Sequence, residues 1–282
     1  MKSINIFLIL YLFISSSSLP VAVLHGFQQK CSLQLLKDLV SYFEKNTNYY
    51  VKCIESGGGS NDVHTSFRDQ AKKACEIINS DENFKGDFSL FSISQGGVLA
   101  RYIIEKCEMK GTVKRFVAMG GPLAGTHHFP FCLKGVICHI INSIVDWLVY
   151  KNYVQDGLGP AGYFRVSNHL KNYYKSKSLL LELNNEGKEF DQNAKNRFLK
   201  LEKLILIAFV QDKMISPRES AHFFVYDEKH KLVDAKDTRI YKEDLFGLKT
   251  LDEQDKITRF WIDKKHCYYD WKDINETVIP YL

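Results

Sequence analysis

The chain has 282 residues, of which 45% are apolar, 25% charged and 13% aromatic, and a formal net charge of +5. This composition is that of a globular protein and excludes a disordered or collagen-like chain. Basic residues are scattered among acids, as in Lys72-Lys73 followed by Glu76, and no arginine-rich stripe interleaves with aromatics. That argues against nucleic acid as a partner.

In chain order, the first element is a leader. Lys2 precedes an unbroken apolar run from Ile6 to Ile14, followed by Ser15 to Ser18. A positive start, a short apolar stretch and a small-residue exit are the form of a secretory signal peptide, which predicts residues 1–18 as leader and 19–282 as a single domain. The run is too short to span a bilayer, which takes about 20 apolar residues, and no later segment reaches that length. The predicted location is the secretory pathway, lysosomal or extracellular. Seven cysteines in such a chain imply disulfides, and an odd count leaves at least one thiol unpaired within it. None forms Cys-x-x-Cys or a Cys/His cluster at zinc spacing, so no metal site is expected.

Six apolar runs read as strands: Val21 to Leu24, Tyr49 to Ile54 (the weakest), Phe88 to Ile93, Val113 to Met119, Leu204 to Val210 and Ile257 to Ile262. They are short, β-rich and bounded by turn residues, as buried parallel strands are. Helical patterns fall between them. Leu36, Leu39, Val40 and Phe43 share one helical face; Ser66 with Asp69 resembles a capping box opening a helix; another helix runs from Gly97 to about Lys106. The alternation predicts an α/β fold, a mostly parallel central sheet flanked by helices. The stretch of about 125–203 breaks the rhythm. It carries Phe129, Phe131, Ile137, Ile140, Ile141, Ile144, Trp147 and Leu148, then a Gly/Pro loop at Gly157 to Gly162. It reads as a mainly helical insertion over the strand ends.

The sharpest chemical signal is Ser92-Ile93-Ser94-Gln95-Gly96-Gly97 at a strand-to-helix junction. A nucleophile elbow turns so tightly that the residues two before and two after the nucleophile must be small. Ser92 and Gly96 meet that need, although Ser92 stands where Gly is usual. A serine hydroxyl needs a base, and the base an orienting acid, in the chain order Ser, Asp or Glu, His. Asp212 just past one strand and His266 just past the last one supply both at the sheet end where α/β folds carry their sites. Asp263 shares a loop with the base; His127, His128, His222 and His230 read as surface or core histidines. Oxyanion donors are expected from the backbone N–H groups of Gln95 and of Phe27, in the loop Leu24-His25-Gly26-Phe27. His25 itself reads as structural. No cofactor is needed: Gly57-Gly58-Gly59 lacks the Lys-Ser/Thr ending of a phosphate loop.

With these residues placed, the chain resembles the palmitoyl-protein thioesterases, which have the α/β-hydrolase fold, over essentially its whole mature length. The matching pieces are Leu24-His25-Gly26 with Cys31, the Ser94-Gln95-Gly96-Gly97 elbow and Val117-Ala118-Met119-Gly120-Gly121. Phe209-Val210-Gln211-Asp212 with Pro217, Leu245-Phe246-Gly247-Leu248-Lys249, and Asp263 to His266 before Val278-Ile279-Pro280-Tyr281-Leu282 complete the series. The resemblance implies Ser94, Asp212 and His266 as nucleophile, acid and base. It also implies the disulfides Cys75 with Cys107 and Cys132 with Cys138, leaving Cys31, Cys53 and Cys267 unassigned because Ser32 replaces the second of the family's adjacent cysteines. Asn275-Glu276-Thr277 is the glycosylation sequon. The implied activity is hydrolysis of thioester-linked long-chain acyl groups, palmitoyl above all, from cysteines of proteins or peptides through an acyl-enzyme. The alternatives are a lipid esterase or acyl-CoA thioesterase of the same fold, and a lipid-binding pseudoenzyme, which the Ser92 departure alone favours.

Overall fold

The structure is a computed structural model in which residues 19–127 and 146–282 are described. The leader, His128 and the Cys132/Cys138 pair lie outside these residues. The frame is a six-stranded sheet of β1 (Val21–Leu24), β2 (Val51–Ile54), β3 (Asp87–Ile93), β4 (Thr112–Met119), β5 (Lys203–Phe209) and β8 (Ile257–Ile262). A two-stranded hairpin, β6 (Val225–Tyr226) with β7 (Leu232–Val233), stands apart. Spatial order in the main sheet is β2-β1-β3-β4-β5-β8, and every neighbouring pair is parallel.

All six predicted strands are therefore present, and their continuous apolar character has a structural cause. On one face Ala22, Leu24, Leu90, Phe116, Ala118, Leu204 and Leu206 are buried; on the other, Val21, Val23, Phe91, Val117, Ile205 and Ile207. Successive side chains point to opposite faces, and both faces of the central strands are covered, so apolar residues dominate both sets of positions. Helix α1 (Gln34–Thr47) packs on the second face, with Ile274 of the C-terminal helix beside it; after the short α2 (Asn61–His64), α3 (Phe67–Asn79) and α4 (Gly96–Lys106) pack on the first. Ser66 accepts the Asp69 N–H at 3.1 Å and donates its hydroxyl to Asp69 Oδ2 at 2.7 Å. The cap is thus a local Ser–Asp pair and not the reciprocal box, which occurs instead at Asp270 and Asp273.

The chain places β2 outside β1, then returns across it to β3. The direction of winding reverses between β1 and β3, and at such a switch the loops leaving the two strands diverge and open a crevice. Between β4 and β5 the described residues carry short helices, among them α5 (Asn152–Gly157), α6 (Leu170–Tyr173), α7 (Leu179–Leu183) and α8 (Gln192–Phe198). Val149, Tyr150, Phe164, Val166, Leu170, Tyr173, Leu180 and Leu181 form a small core of their own there. Phe198 of α8 instead belongs to the main core, so the last of these helices is framework.

Cys75 of α3 is bonded to Cys107 at the end of α4, as the family resemblance implied, and Cys31 is bonded to Cys53. Cys267 is a free thiol. In the chain-entropy picture the loop between Cys75 and Cys107, a separation of 32 residues, is worth roughly 3–4 kcal/mol to the folded state. Among the described residues no helix is long and apolar enough to cross a membrane.

Candidate active site

Ser94 sits at the turn between β3 and α4 with φ +52°, a left-handed conformation that few non-glycine residues adopt. Its N–H donates to the Met119 carbonyl at 2.8 Å, which ties the turn to the end of β4. A Cβ on Gly96 would lie 2.6 Å from the Leu24 carbonyl oxygen and 2.8 Å from that of His25. Only glycine fits, because the helix start presses directly on the backbone leaving β1. Ser92 is fully buried, and its hydroxyl donates to the Val117 carbonyl at 3.3 Å on the neighbouring strand. The extra atom that departs from the usual elbow thus has a partner.

His266 comes from the loop after β8 and Asp212 from the loop after β5. His266 Nε2 lies 2.9 Å from Ser94 Oγ, and Nδ1 lies 2.6 Å from Asp212 Oδ2. The other Asp212 oxygen accepts the N–H groups of Met214 at 2.7 Å and Ile215 at 3.1 Å. A carboxylate so held is fixed in rotation, with one oxygen left for the imidazole. Burial disfavours charge on His266, but the neighbouring Cys267 sulfur and the Asp212 carboxylate outweigh it and push its pKa well above the ordinary value. Cys267 Sγ is 3.4 Å from the same Nε2 that faces Ser94.

These groups open onto a cavity of about 550 Å³ lined by Phe27 and Gln95, by apolar Leu35, Pro122, Pro160, Met214 and Ile215, and by Tyr163, Tyr268 and Cys267. Gln95 is the N-cap residue of α4, at the helix end whose first backbone N–H groups have no intrahelical carbonyl partner. Phe27 and Gln95, the residues expected to carry the oxyanion donors, thus both line the cavity that holds Ser94 and His266.

Other sequence candidates lie elsewhere. Asp263 is exposed and takes the Gln211 side-chain amide at 3.0 Å. His222 is buried against the Leu206 carbonyl, and burial lowers its pKa to about 4, so it stays neutral. His127 accepts the Ser167 N–H, and His230 stacks on Tyr226. His25 spans Gly26 O and Glu55, a structural role as expected. His25, Cys31 and Glu55 are close enough to share an ion, but the Cys31 sulfur is spent on its disulfide. Asn275 of the sequon is exposed, with its amide oxygen accepting the Tyr42 hydroxyl.

The family described as Palmitoyl protein thioesterase matches residues 20–266. Palmitoyl-protein thioesterase 1 of Caenorhabditis elegans is 27% identical, covering 89% of this chain and 87% of its own. Lysosomal thioesterase PPT2-B of Xenopus laevis is 31% identical over 67% of this chain and 65% of its own. Among solved structures, the monoacylglycerol lipase of Paleococcus ferrophilus aligns at a TM-score of 0.49 and 14% identity, covering 93% of this chain and 92% of that one.

Proposed function

The chain belongs to the palmitoyl-protein thioesterase family, and from that premise we propose that it strips long-chain acyl groups from protein cysteines with Ser94, His266 and Asp212 as its triad. Membership makes it a serine hydrolase of thioester or ester bonds. The observation that carries the finer reading is the continuous Ser94–His266–Asp212 hydrogen-bond line, at 2.9 and 2.6 Å.

In this mechanism His266 Nε2 takes the Ser94 proton as Oγ attacks the thioester carbonyl, while Asp212 holds Nδ1–H and stabilises the imidazolium. The N–H groups of Phe27 and Gln95 receive the oxyanion. Collapse breaks the C–S bond, and His266 returns its proton to the departing sulfur. Thiols ionise near pH 8.5, far below alcohols, so protonation asks little of His266 here and the oxyanion donors carry more of the work. Water then attacks the acyl-enzyme and gives its proton to His266; collapse breaks the C–Oγ bond, His266 returns the proton to Ser94 Oγ, and the fatty acid leaves.

The apolar lining supports an acyl chain as ligand. At about 0.8 kcal/mol per buried methylene, half a palmitoyl chain supplies several kcal/mol before ordering costs. In this reading residues 19–282 act as one hydrolase domain, and the insertion of about 125–203 contributes Pro160 and Tyr163 to the cavity wall. Two disulfides and a relative named as lysosomal support work in the lysosome or outside the cell, with Asn275 as a glycan site.

The test compares kcat/KM on a palmitoylated cysteine peptide, palmitoyl-CoA and a long-chain lipid ester. The peptide is expected to be the best substrate. A preference for the lipid ester would make the protein a lipase, and turnover of none of them would leave a binding protein.

A further inference from the structure

The two segments that bear the proposed oxyanion donors come from different strands, yet one buried polar chain joins them. Asp62 is fully buried. Its Oδ2 accepts the Gln28 N–H and its Oδ1 the Gly58 N–H, each at 2.6 Å. Gln28 has φ +59°, a left-handed conformation that costs energy in a residue with a Cβ and must be held from outside. It directly follows Phe27, so the Asp62 carboxylate fixes the peptide next to the first donor.

The second donor is held from the same place. Gln70, also fully buried, gives its side-chain N–H groups to the carbonyls of Asp62 at 3.1 Å and Thr65 at 2.9 Å. Gln70 Oε1 accepts from Gln95 Nε2 at 3.3 Å, and Gln95 Oε1 accepts the Tyr163 hydroxyl at 3.1 Å. The direction of the chain is forced. Two backbone carbonyls can only face a donor, so the Gln70 nitrogen must point at them and its oxygen at Gln95. Gln95 must then offer its nitrogen to Gln70 and its oxygen to Tyr163. Neighbours leave no slack: a Cβ on Gly159 would meet Gln70 Nε2 at 2.6 Å, and one on Gly57 would meet Asp62 Oδ1 at 2.2 Å.

We propose that Asp62 and Gln70 are positioning residues that hold the Phe27 and Gln95 backbone donors in register with Ser94. The proposal rests on the triad reading above. Neither residue lines the cavity; both act through the backbone of residues that do. An oxyanion donor is useful only where charge develops in the transition state, so misplacing it lowers the chemical step more than substrate binding.

The test is hydrolysis of a palmitoylated cysteine peptide by the full chain carrying Gln70→Met, which keeps the volume and removes every hydrogen bond, with thermal melting in parallel. Loss of an oxyanion donor typically costs roughly 100- to 1000-fold, so a displaced one is expected to lower kcat roughly 10- to 100-fold with KM within about twofold. Affinity for an acyl trifluoromethyl ketone, which forms a tetrahedral oxyanion on Ser94, should fall by the same factor. Affinity for a non-hydrolysable thioether should not move. Asp62→Asn, which sets an amide against one of two N–H donors, carries the same expectation should Gln70→Met not fold. A folded variant with wild-type kcat overturns the proposal, as does a fall in kcat accompanied by a comparable rise in KM and a drop in melting temperature. Ser94→Ala separates the two ideas: activity surviving there sinks the triad itself, whereas a dead Ser94→Ala beside a fully active Gln70→Met sinks only the positioning role.

Discussion

One imidazole nitrogen in this protein has two neighbours. His266 Nε2 faces Ser94 Oγ at 2.9 Å and Cys267 Sγ at 3.4 Å. The sulfur fits there because Cys267 turns back with φ +54° and because residue 120 is glycine, whose Cβ would lie 3.0 Å from Sγ. Burial lowers the basicity of His266, and the Cys267 sulfur and the Asp212 carboxylate beside it raise it by more. A general base works only when deprotonated, so a raised pKa moves the rising limb of kcat/KM to higher pH. Cys267→Ala removes one raising cause. Its limb is expected at lower pH than that of the wild type in a pH–rate profile; an unmoved limb, or one displaced upward, would contradict this. Ser94, Asp212 and His266 were legible because elbow chemistry and strand ends constrain residue type locally. The sulfur contact was not, because it depends on a single left-handed residue and on a glycine 147 positions away, a separation no local pattern reports.

At the scale of elements, α4 is the hub. Its N-terminus follows Ser94, and farther along Arg101 and Glu105 are fully buried and paired at 2.8 Å. Arg101 also reaches the Leu123 carbonyl, Asn184 Oδ1 and the Leu183 carbonyl, which binds α4 to α7 of the insertion. Burial raises the Glu105 carboxyl to about 7 against the opposing pull of Arg101. A raised acid favours the folded state below its unfolded pKa of 4.5, and that contribution is lost as pH climbs through about 7. Glu105→Gln does not titrate. The wild type should therefore lose on the order of 1–3 kcal/mol relative to Glu105→Gln between pH 4.5 and 7.5, read by urea unfolding at both. A constant difference, or a wild type that gains with pH, would contradict the burial argument. Helices α1, α3 and α4 were legible from their apolar spacing. The turns between β4 and β5 were not resolved as separate elements, since helices of four to seven residues are too short to display a period.

For the whole molecule, the strand order β2-β1-β3-β4-β5-β8 decides what meets what. The Ser94 turn leaves β3, the loop proposed to carry the first oxyanion donor leaves β1 next to it, and Asp212 and His266 follow β5 and β8, the two adjacent strands at the other end. Parallel strands deliver all four loops to one rim, and that rim holds the cavity. The sequence carried the strands, their parallel sense and the shared rim, because a sheet buried on both faces writes itself as apolar runs. It did not carry the Cys31–Cys53 bond or the Asp62–Gln70–Gln95 chain, which join residues only after folding and leave no periodic trace. The central claim is that Ser94 is a nucleophile activated by His266. Labelling with a fluorophosphonate probe tests it most directly: the wild type should be labelled covalently, Ser94→Ala not at all, and His266→Ala at a rate lower by a factor of at least roughly 1000. Equal labelling of wild type and Ser94→Ala, or none of either folded protein, would contradict it.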